Sequence, residues 1–258
     1  MALQIFHFKT LDSTMTKARD LARSNIDTPF AVTADVQTEG RGRVEGRRWE
    51  TGGARALLCT LCLRLDDPPP PAASLRLAIA VAEALIDHYK IPSSSGSGKN
   101  DLLIKWPNDL MGRTAIDGSW KKLGGMLCEF SRPWFFVGIG INLFKNSYPQ
   151  SLHQRATSLE EILGASPFVD HDMPEEVVTK IEGLLEAYLE SEDWKNRYES
   201  LLWARGSPVD FLVGHPGRNQ YAHGIIEGVD DSGRLMLRDN DGTIRLFSSG
   251  EVTGIRLA

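Results

Sequence analysis

The chain has 258 residues, of which 41% are hydrophobic and 24% charged, and a formal net charge of −5 at pH 7. Such a chain lies near the upper size that one core organises, so one main domain with a smaller appendage is the expectation. The acidic balance argues against a general nucleic-acid binder. No apolar run approaches the roughly 20 residues needed to cross a bilayer, and the opening residues MALQIFHFKT carry no secretory pattern, so the cytoplasm is the expected location.

Taken in chain order, Ile5 to Phe8 is a short apolar strand candidate. The run LDSTMTKARDLARS reads as a helix starting near Ser13 or Thr14, with Asp12 or Ser13 as N-cap and Ala18, Leu21 and Ala22 on one face. Ala31 to Gln37 reads as a strand that feeds Gly40-Arg41-Gly42-Arg43-Val44-Glu45-Gly46-Arg47-Arg48-Trp49. Glycine frees the backbone and removes bulk beside a ligand, while arginine brings a permanent charge and a donor fork suited to phosphate or carboxylate. Read alone, the stretch is a flexible surface turn that happens to be basic, and only the segments further along the chain turn it towards a ligand.

Leu57 to Leu65 is the next strand, and it contains the chain's one C-x-x-C, Cys59 and Cys62. Residues three apart on a strand point to opposite faces, so these are expected to be core thiols rather than partners on one metal. Three cysteines in all make no disulfide framework and fit a reducing compartment. Pro68 to Pro71 reads as an exposed connection, and the helix opening at Ser74 is apolar around most of its circumference, hence buried against a sheet. A Ser/Gly loop follows at IPSSSGSGKND; it lacks the glycine spacing and hydroxyl residue of a phosphate-binding P-loop.

Leu102 to Trp106 is read as a strand ending in Pro107-Asn108-Asp109, and Lys122 to Phe130 with Trp134 to Ile141 as a hairpin-like pair. Thr157-Ser158-Leu159-Glu160 reads as a capping box for a helix that stops at Gly164. A second helix begins near Asp172-Met173-Pro174-Glu175 and runs, with a break, towards Trp203. After Gly206, short alternating strands separated by Gly/Asp/Asn turns read as a small β-barrel, which places a domain boundary near Arg205, between residues 1–205 and 206–258.

Four segments stand out together: the Gly/Arg stretch, KWPND at Lys105 to Asp109, KKLGGML at Lys121 to Leu127, and GIGIN at Gly138 to Asn142. Polar residues at the strand ends of the second and fourth segments are expected to line one crevice, and Gly124 and Gly125 permit close backbone approach beside Lys122. GIGIN has no third glycine and is no dinucleotide fingerprint.

With DSTM at Asp12 to Met15 and the terminal β segment, these motifs, in this order, resemble those of a biotin protein ligase, from about Leu11 to the C-terminus. The resemblance implies an α+β fold: a mixed or antiparallel sheet flanked by helices, as in class II synthetases, with a C-terminal SH3-like barrel. It also implies a two-step reaction. Biotin and ATP form biotinyl-adenylate and pyrophosphate, with magnesium neutralising phosphate charge; a lysine on the biotin-carrier domain of a biotin-dependent carboxylase then takes the biotin and releases AMP.

Carried over residue by residue, the resemblance implies that Lys122, Arg43 and Asp109 act in catalysis, with Asp109 orienting the incoming lysine. Ser13, Thr14, Gln37, Arg41, Arg43, Lys122, Gly124 and Gly125 fall to biotin binding. Arg41, Arg43, Arg47, Trp49, Asn108, Lys122 and Asn142 fall to the nucleotide, with Trp49 stacking on adenine; the metal ligands stay unassigned.

Two positions depart from the family pattern. Val44 and Glu45 stand where one residue is usual, and Met15 stands where asparagine often follows the Ser-Thr pair. A lipoate or octanoate ligase or transferase of the same fold lacks the Gly/Arg and KWPND pair in this form, and a non-catalytic biotin-binding module would lose the loop arginines or Lys122. With the residues before Ile5 too few for a DNA-binding domain and the balance acidic, nucleic acid is not expected as a partner; without a long apolar run, neither is a membrane, and a monomer or homodimer is expected.

Overall fold

A computed structural model describes residues 3–24, 26–43, 46, 48–53, 55–92, 101–167, 174–214 and 220–255. The chain opens with β1 (Gln4–Leu11), α1 (Thr14–Ala22) and β2 (Phe30–Gln37). Two short strands, β3 (Gly40–Arg41) and β4 (Arg48–Trp49), precede β5 (Ala56–Arg64) and α2 (Ala73–His88). Then come β6 (Leu102–Lys105), β7 (Asp109–Arg113), β8 (Trp120–Ser131) and β9 (Trp134–Asn142). Helices α3 (Leu159–Leu163), α4 (Pro174–Glu190) and α5 (Trp194–Leu201) follow. The chain closes with β10 (Pro208–Val213), β11 (Tyr221–Val229), β12 (Leu235–Arg238), β13 (Ile244–Phe247) and β14 (Gly250–Ile255).

The central sheet has seven strands in the order β1-β2-β5-β9-β8-β7-β6. Only β1 and β2 run parallel; every other neighbouring pair is antiparallel, so the sheet is mixed as expected. Helices cover both faces. On one side α1 packs Met15 and Ala18 against Phe30, Val32, Cys62, Trp134 and Phe136. On the other, α2 buries Leu77, Ile79, Val81 and Leu85 with Cys59, Leu61 and Val137 of the sheet and Val177, Val178 and Ile181 of α4. α2 is apolar all round because it has the sheet beneath it and α4 and α5 above. The two cysteines three apart on β5 fall into these two separate cores, as their spacing requires.

Several elements differ in detail from the sequence reading. The capping box lies one residue later: the Ser158 hydroxyl accepts from the Glu161 N–H at 3.3 Å and donates to its carboxylate at 2.9 Å. Thr157 is occupied elsewhere, its N–H donating to the Lys122 carbonyl. The helical run to Trp203 has its expected break between α4 and α5, where Arg76 donates to the carbonyls of Tyr188 and Ser191, each at 2.7 Å. The strand β7 was not foreseen. KWPND is a hairpin turn, with Lys105 closing β6 and Asp109 opening β7 directly opposite it.

The last five strands form an antiparallel sheet in the order β13-β12-β11-β10-β14, the SH3-like module. It docks onto the KWPND turn. The Trp106 indole N–H donates to the Gly233 carbonyl at 2.9 Å, and its ring lies 5.9 Å from that of Phe211. Trp106 is 3% exposed. Trp106→Ala is therefore expected to lower the unfolding free energy by about 3–5 kcal/mol, the usual range for emptying a buried aromatic site. A urea titration measures this; a loss below about 1 kcal/mol would show that the indole is not a core anchor.

Candidate functional site

One cavity gathers most of the residues singled out in the sequence. It opens on the α1 face of the sheet, above β5, β9 and β8, where Gly138 and Gly140 leave the strand surface bare. A Cβ at Gly138 would stand 2.9 Å from the Met15 methyl, and one at Gly140 would stand 2.9 Å from the Trp49 ring. The alternate glycines of GIGIN thus admit Met15 and Trp49 against the sheet.

The inner end of the cavity is neutral. Ser13, Thr14 and Thr60 are buried there, with Gln37 beside them. Ser13 is the N-cap residue of α1, yet its side chain makes no capping bond. Gln37 serves instead: its Oε1 accepts from the Thr14 N–H at 2.6 Å and from the Thr14 hydroxyl at 3.0 Å. A residue from the neighbouring strand therefore satisfies one of the free donors of the helix terminus.

The outer end is cationic. Arg41, Arg43, Lys105 and Lys122 line it, the two arginines exposed. Lys122 reaches this face because β8 carries a bulge. Leu110 pairs with Gly124 while Met111 pairs with Lys122, so Leu123 is the extra residue and is buried in the large core. Without the bulge Lys122 and Gly125, three apart, would face opposite sides. With it, Lys122 Nζ lies 2.7 Å from Asp109 Oδ1, over a glycine whose added Cβ would meet Asp109 at 3.2 Å and Lys122 at 3.4 Å. The Lys122 backbone is held by Arg155 and Thr157, its N–H donating to the Arg155 carbonyl.

The cavity thus collects Ser13, Thr14, Gln37, Arg41, Arg43, Trp49, Asn108, Asp109, Lys122 and Gly125. Two expected residues lie outside it. Gly124 lies against the Gly140 carbonyl, 2.5 Å from its added Cβ, and does not line the cavity; its lack of a side chain serves strand packing. Asn142 is 4% exposed and donates to the Thr157 carbonyl at 2.9 Å, so it supports the segment that grips Lys122 rather than facing the cavity. Arg47, Val44 and Glu45 lie outside the described residues. The flanks of the Gly/Arg stretch are not loose: β3 and β4 form a two-stranded ladder, Gly40 opposite Trp49. Gly40 is required there, since a Cβ would stand 2.8 Å from the Trp49 carbonyl.

Four lining residues were missed: Cys59, expected only in the core, Thr60, Lys105 in its role as a cavity cation, and Glu251 of β14. Lys105 Nζ lies 3.6 Å from Glu251, and Arg43 donates to the Gly250 carbonyl at 3.0 Å. The nearest signal for Thr60 was a lone hydroxyl in an otherwise apolar strand; Glu251, at far remove in sequence, offered none.

The comparisons with known proteins bear on this site. A model of the biotin/lipoate A/B protein ligase family matches residues 7–143, and one of the biotin protein ligase C terminal domain matches residues 206–253. The chain belongs to the biotin/lipoate A/B protein ligase family. It is 28% identical to the bifunctional ligase/repressor BirA of Bacillus subtilis, over 96% of this chain and 74% of that protein. It is 29% identical to a biotin–[acetyl-CoA-carboxylase] ligase of Mycobacterium tuberculosis, over 93% of this chain and 84% of that one. Among solved structures, the biotin protein ligase from Aquifex aeolicus in complex with biotin and ATP aligns with a TM-score of 0.75 at 27% identity, covering 99% of both chains. Like these relatives' family fold, this chain is α+β with helices on a mixed sheet.

Burial pushes the Cys59 and Cys62 thiols far above their ordinary range, and the adjoining Cys59 adds to the effect at Cys62. Both are expected to stay unreactive towards a thiol reagent in the native protein and to react on unfolding. Peptide mass analysis of the labelled protein checks this; rapid native labelling at either position would contradict it.

Proposed function

We propose that the chain is an ATP-dependent biotin protein ligase, a biotin–[biotin carboxyl-carrier protein] ligase. It forms biotinyl-5′-AMP and passes the biotin to a lysine of the carrier domain of a biotin-dependent carboxylase, acetyl-CoA carboxylase being the partner in its relatives' names. The observation that carries this reading is the polarity of one cavity. A neutral, hydrogen-bonding inner end suits an uncharged ring head group, and a cationic mouth suits a carboxylate meeting a phosphate. The match of residues 206–253 to a biotin protein ligase domain favours biotin over lipoate.

In the first step a biotin carboxylate oxygen attacks the α-phosphorus of ATP, the bond to the β-phosphate oxygen breaks, and pyrophosphate leaves. Two anions must approach, and charge builds on the phosphoryl oxygens, so fixed cations lower the barrier. Lys122 lies where that charge accumulates, with Arg43 and Arg41 contacting the activated group and Arg47 adding phosphate contacts. Trp49 offers its ring face to the adenine, with Asn108 lining the cavity beside it; Asn142 acts only through the Thr157 segment that holds Lys122. In the empty cavity Asp109 pairs with Lys122, so the ammonium is not left uncompensated. When Lys122 turns to substrate, Asp109 is released. In the second step the acceptor amine attacks the acyl carbon, AMP leaves, and Asp109 orients that amine and takes its proton.

Among the described residues no group of three His, Cys, Asp or Glu is placed to hold a metal, and both carboxylates lining the cavity, Asp109 and Glu251, are engaged by lysines. The described residues do not fit a resident metal, and magnesium enters as part of the nucleotide substrate. The Gly/Arg stretch acts as a lid, arginine–phosphate pairing offsetting the entropy of closing it, and closure shields the adenylate from water. No described helix is long and apolar enough to cross a membrane. The reading places the enzyme in the cytoplasm, as a monomer or homodimer, with the division between catalytic domain and barrel at Arg205 and Gly206.

The test is exchange of labelled pyrophosphate into ATP, expected to require biotin and to be unsupported by lipoate. Exchange with lipoate and none with biotin would overturn the substrate assignment. Intact-mass analysis of a carrier domain incubated with the protein, ATP, magnesium and biotin is expected to show one biotin adduct. Lys122→Ala is expected to lower adenylation by about 10²–10³-fold, the usual cost of losing a donor to developing charge; an unchanged rate removes Lys122 from the mechanism.

A further inference from the structure

We infer that Thr60 is a positioning residue that sets the hydrogen-bond polarity of the cavity's inner end and thereby selects a head group with a carbonyl acceptor. The inference rests on the biotin ligase reading and extends it to a residue that none of the motifs contains.

Thr60 stands in the middle of β5 with Val32 and Gly138 as its cross-strand neighbours. It is fully buried, yet it lines the cavity, because Gly138 beside it has no side chain. Its hydroxyl lies 2.9 Å from that of Thr14, a buried contact. Together with the Thr14–Gln37 bonds this makes a chain of three side chains whose direction follows from one fixed group.

The Thr14 backbone N–H can only donate, and it points at the Gln37 amide at 2.6 Å. The amide must therefore present oxygen to it, which decides between the two flips of the glutamine. The Thr14 hydroxyl, 3.0 Å from the same oxygen, must then donate as well. A hydroxyl has one proton, so towards Thr60 the Thr14 oxygen can only accept, and Thr60 donates. Both acceptor positions of the Gln37 oxygen are now used. What Gln37 retains for a ligand is its NH₂ group, a donor, for which the described residues supply no partner. The inner end thus greets a head group with a donor, matched to the carbonyl of a cyclic urea and unmatched to a disulfide ring.

Thr60 maintains this arrangement without touching the reacting atoms. If its hydroxyl were removed, the Thr14 hydroxyl would lose its only incoming bond and could turn its proton away from Gln37. The amide would then be held by one bond in place of two and the donor would lose its fixed aim. Valine is the informative replacement because it keeps the shape of threonine in the core.

The experiment measures biotin-dependent pyrophosphate exchange by the wild-type full chain, Thr60→Val and Thr60→Ser, with thermal melting of each. Thr60→Val is expected to raise KM for biotin by about tenfold while kcat and KM for ATP stay within about twofold, since a ground-state contact is lost and no transition-state one. Thr60→Ser, which keeps the hydroxyl, is expected to restore most of that loss. The wild type is expected to discriminate against 2-iminobiotin, which carries a donor in place of the carbonyl, and Thr60→Val to narrow the difference. An unmoved KM in Thr60→Val, or a Thr60→Ser variant as impaired as Thr60→Val, overturns the role of Thr60. Absence of exchange by the wild type overturns the ligase reading itself, so the two failures are told apart.

Discussion

Lys122 and Gly125 sit three positions apart on one strand, and a regular strand would place them on opposite faces of the sheet. The bulge at Leu123 removes that conflict: it sends a leucine into the core and brings the lysine round to the open face. The rest of the site depends on this turn. Gly125 is bare so that Lys122 and Asp109 can meet above it, and the segment from Arg155 to Thr157 runs beside β8 to hold the bulged backbone at both its N–H and its carbonyl. Asn142, at the far end of β9, bonds to that segment in turn. The face to which the Lys122 ammonium is directed is thus set by backbone geometry.

The cavity separates two kinds of electrostatic work. Its inner polar groups, Thr14, Thr60 and Gln37, form a neutral chain. Burying hydroxyls without partners would carry a desolvation penalty, and the chain avoids it while leaving one donor for a ligand. The charged groups are kept at the mouth, where Lys122 and its carboxylate partner remain partly open to solvent. A charged pair at the buried end would be costly to desolvate, whereas at the mouth Lys122 and Lys105 could each exchange a carboxylate for another anion with less change in solvation.

Residues that bear chemistry by type and by neighbourhood were legible in the sequence. The Gly/Arg stretch, KWPND and GIGIN all contribute to one cavity, and the buried helix α2 and the split cysteines follow directly from hydrophobic patterning. What was not legible depends on long-range geometry. GIGIN reads as a polar strand end, but its contribution is the bare surface of Gly138 and Gly140, and its asparagine faces elsewhere. Gly124 and Gly125 look alike in sequence, yet alternation gives one to strand packing and the other to the cavity. Ser13 has the residue type of a helix cap, but the cap is supplied by Gln37 from a neighbouring strand, a substitution that local pattern cannot reveal. Thr60 is a threonine in a strand, where threonine is unremarked; only its register against Gly138 gives it a cavity to face.

The C-terminal module is joined to this chemistry at three points that are all close to the mouth. Trp106 roots the KWPND turn in the barrel, Lys105 from the same turn faces Glu251, and Arg43 from the Gly/Arg stretch holds the Gly250 carbonyl. Adjacent residues of β14 therefore engage one cation from the turn that carries Asp109 and another from the Gly/Arg stretch. Both cations line the cavity mouth, and neither can turn towards an anion there without loosening its hold on β14. An anion at the mouth would compete with β14 for the same two side chains. A small β-module, remote in sequence from every motif, thus supplies part of the rim of the cavity.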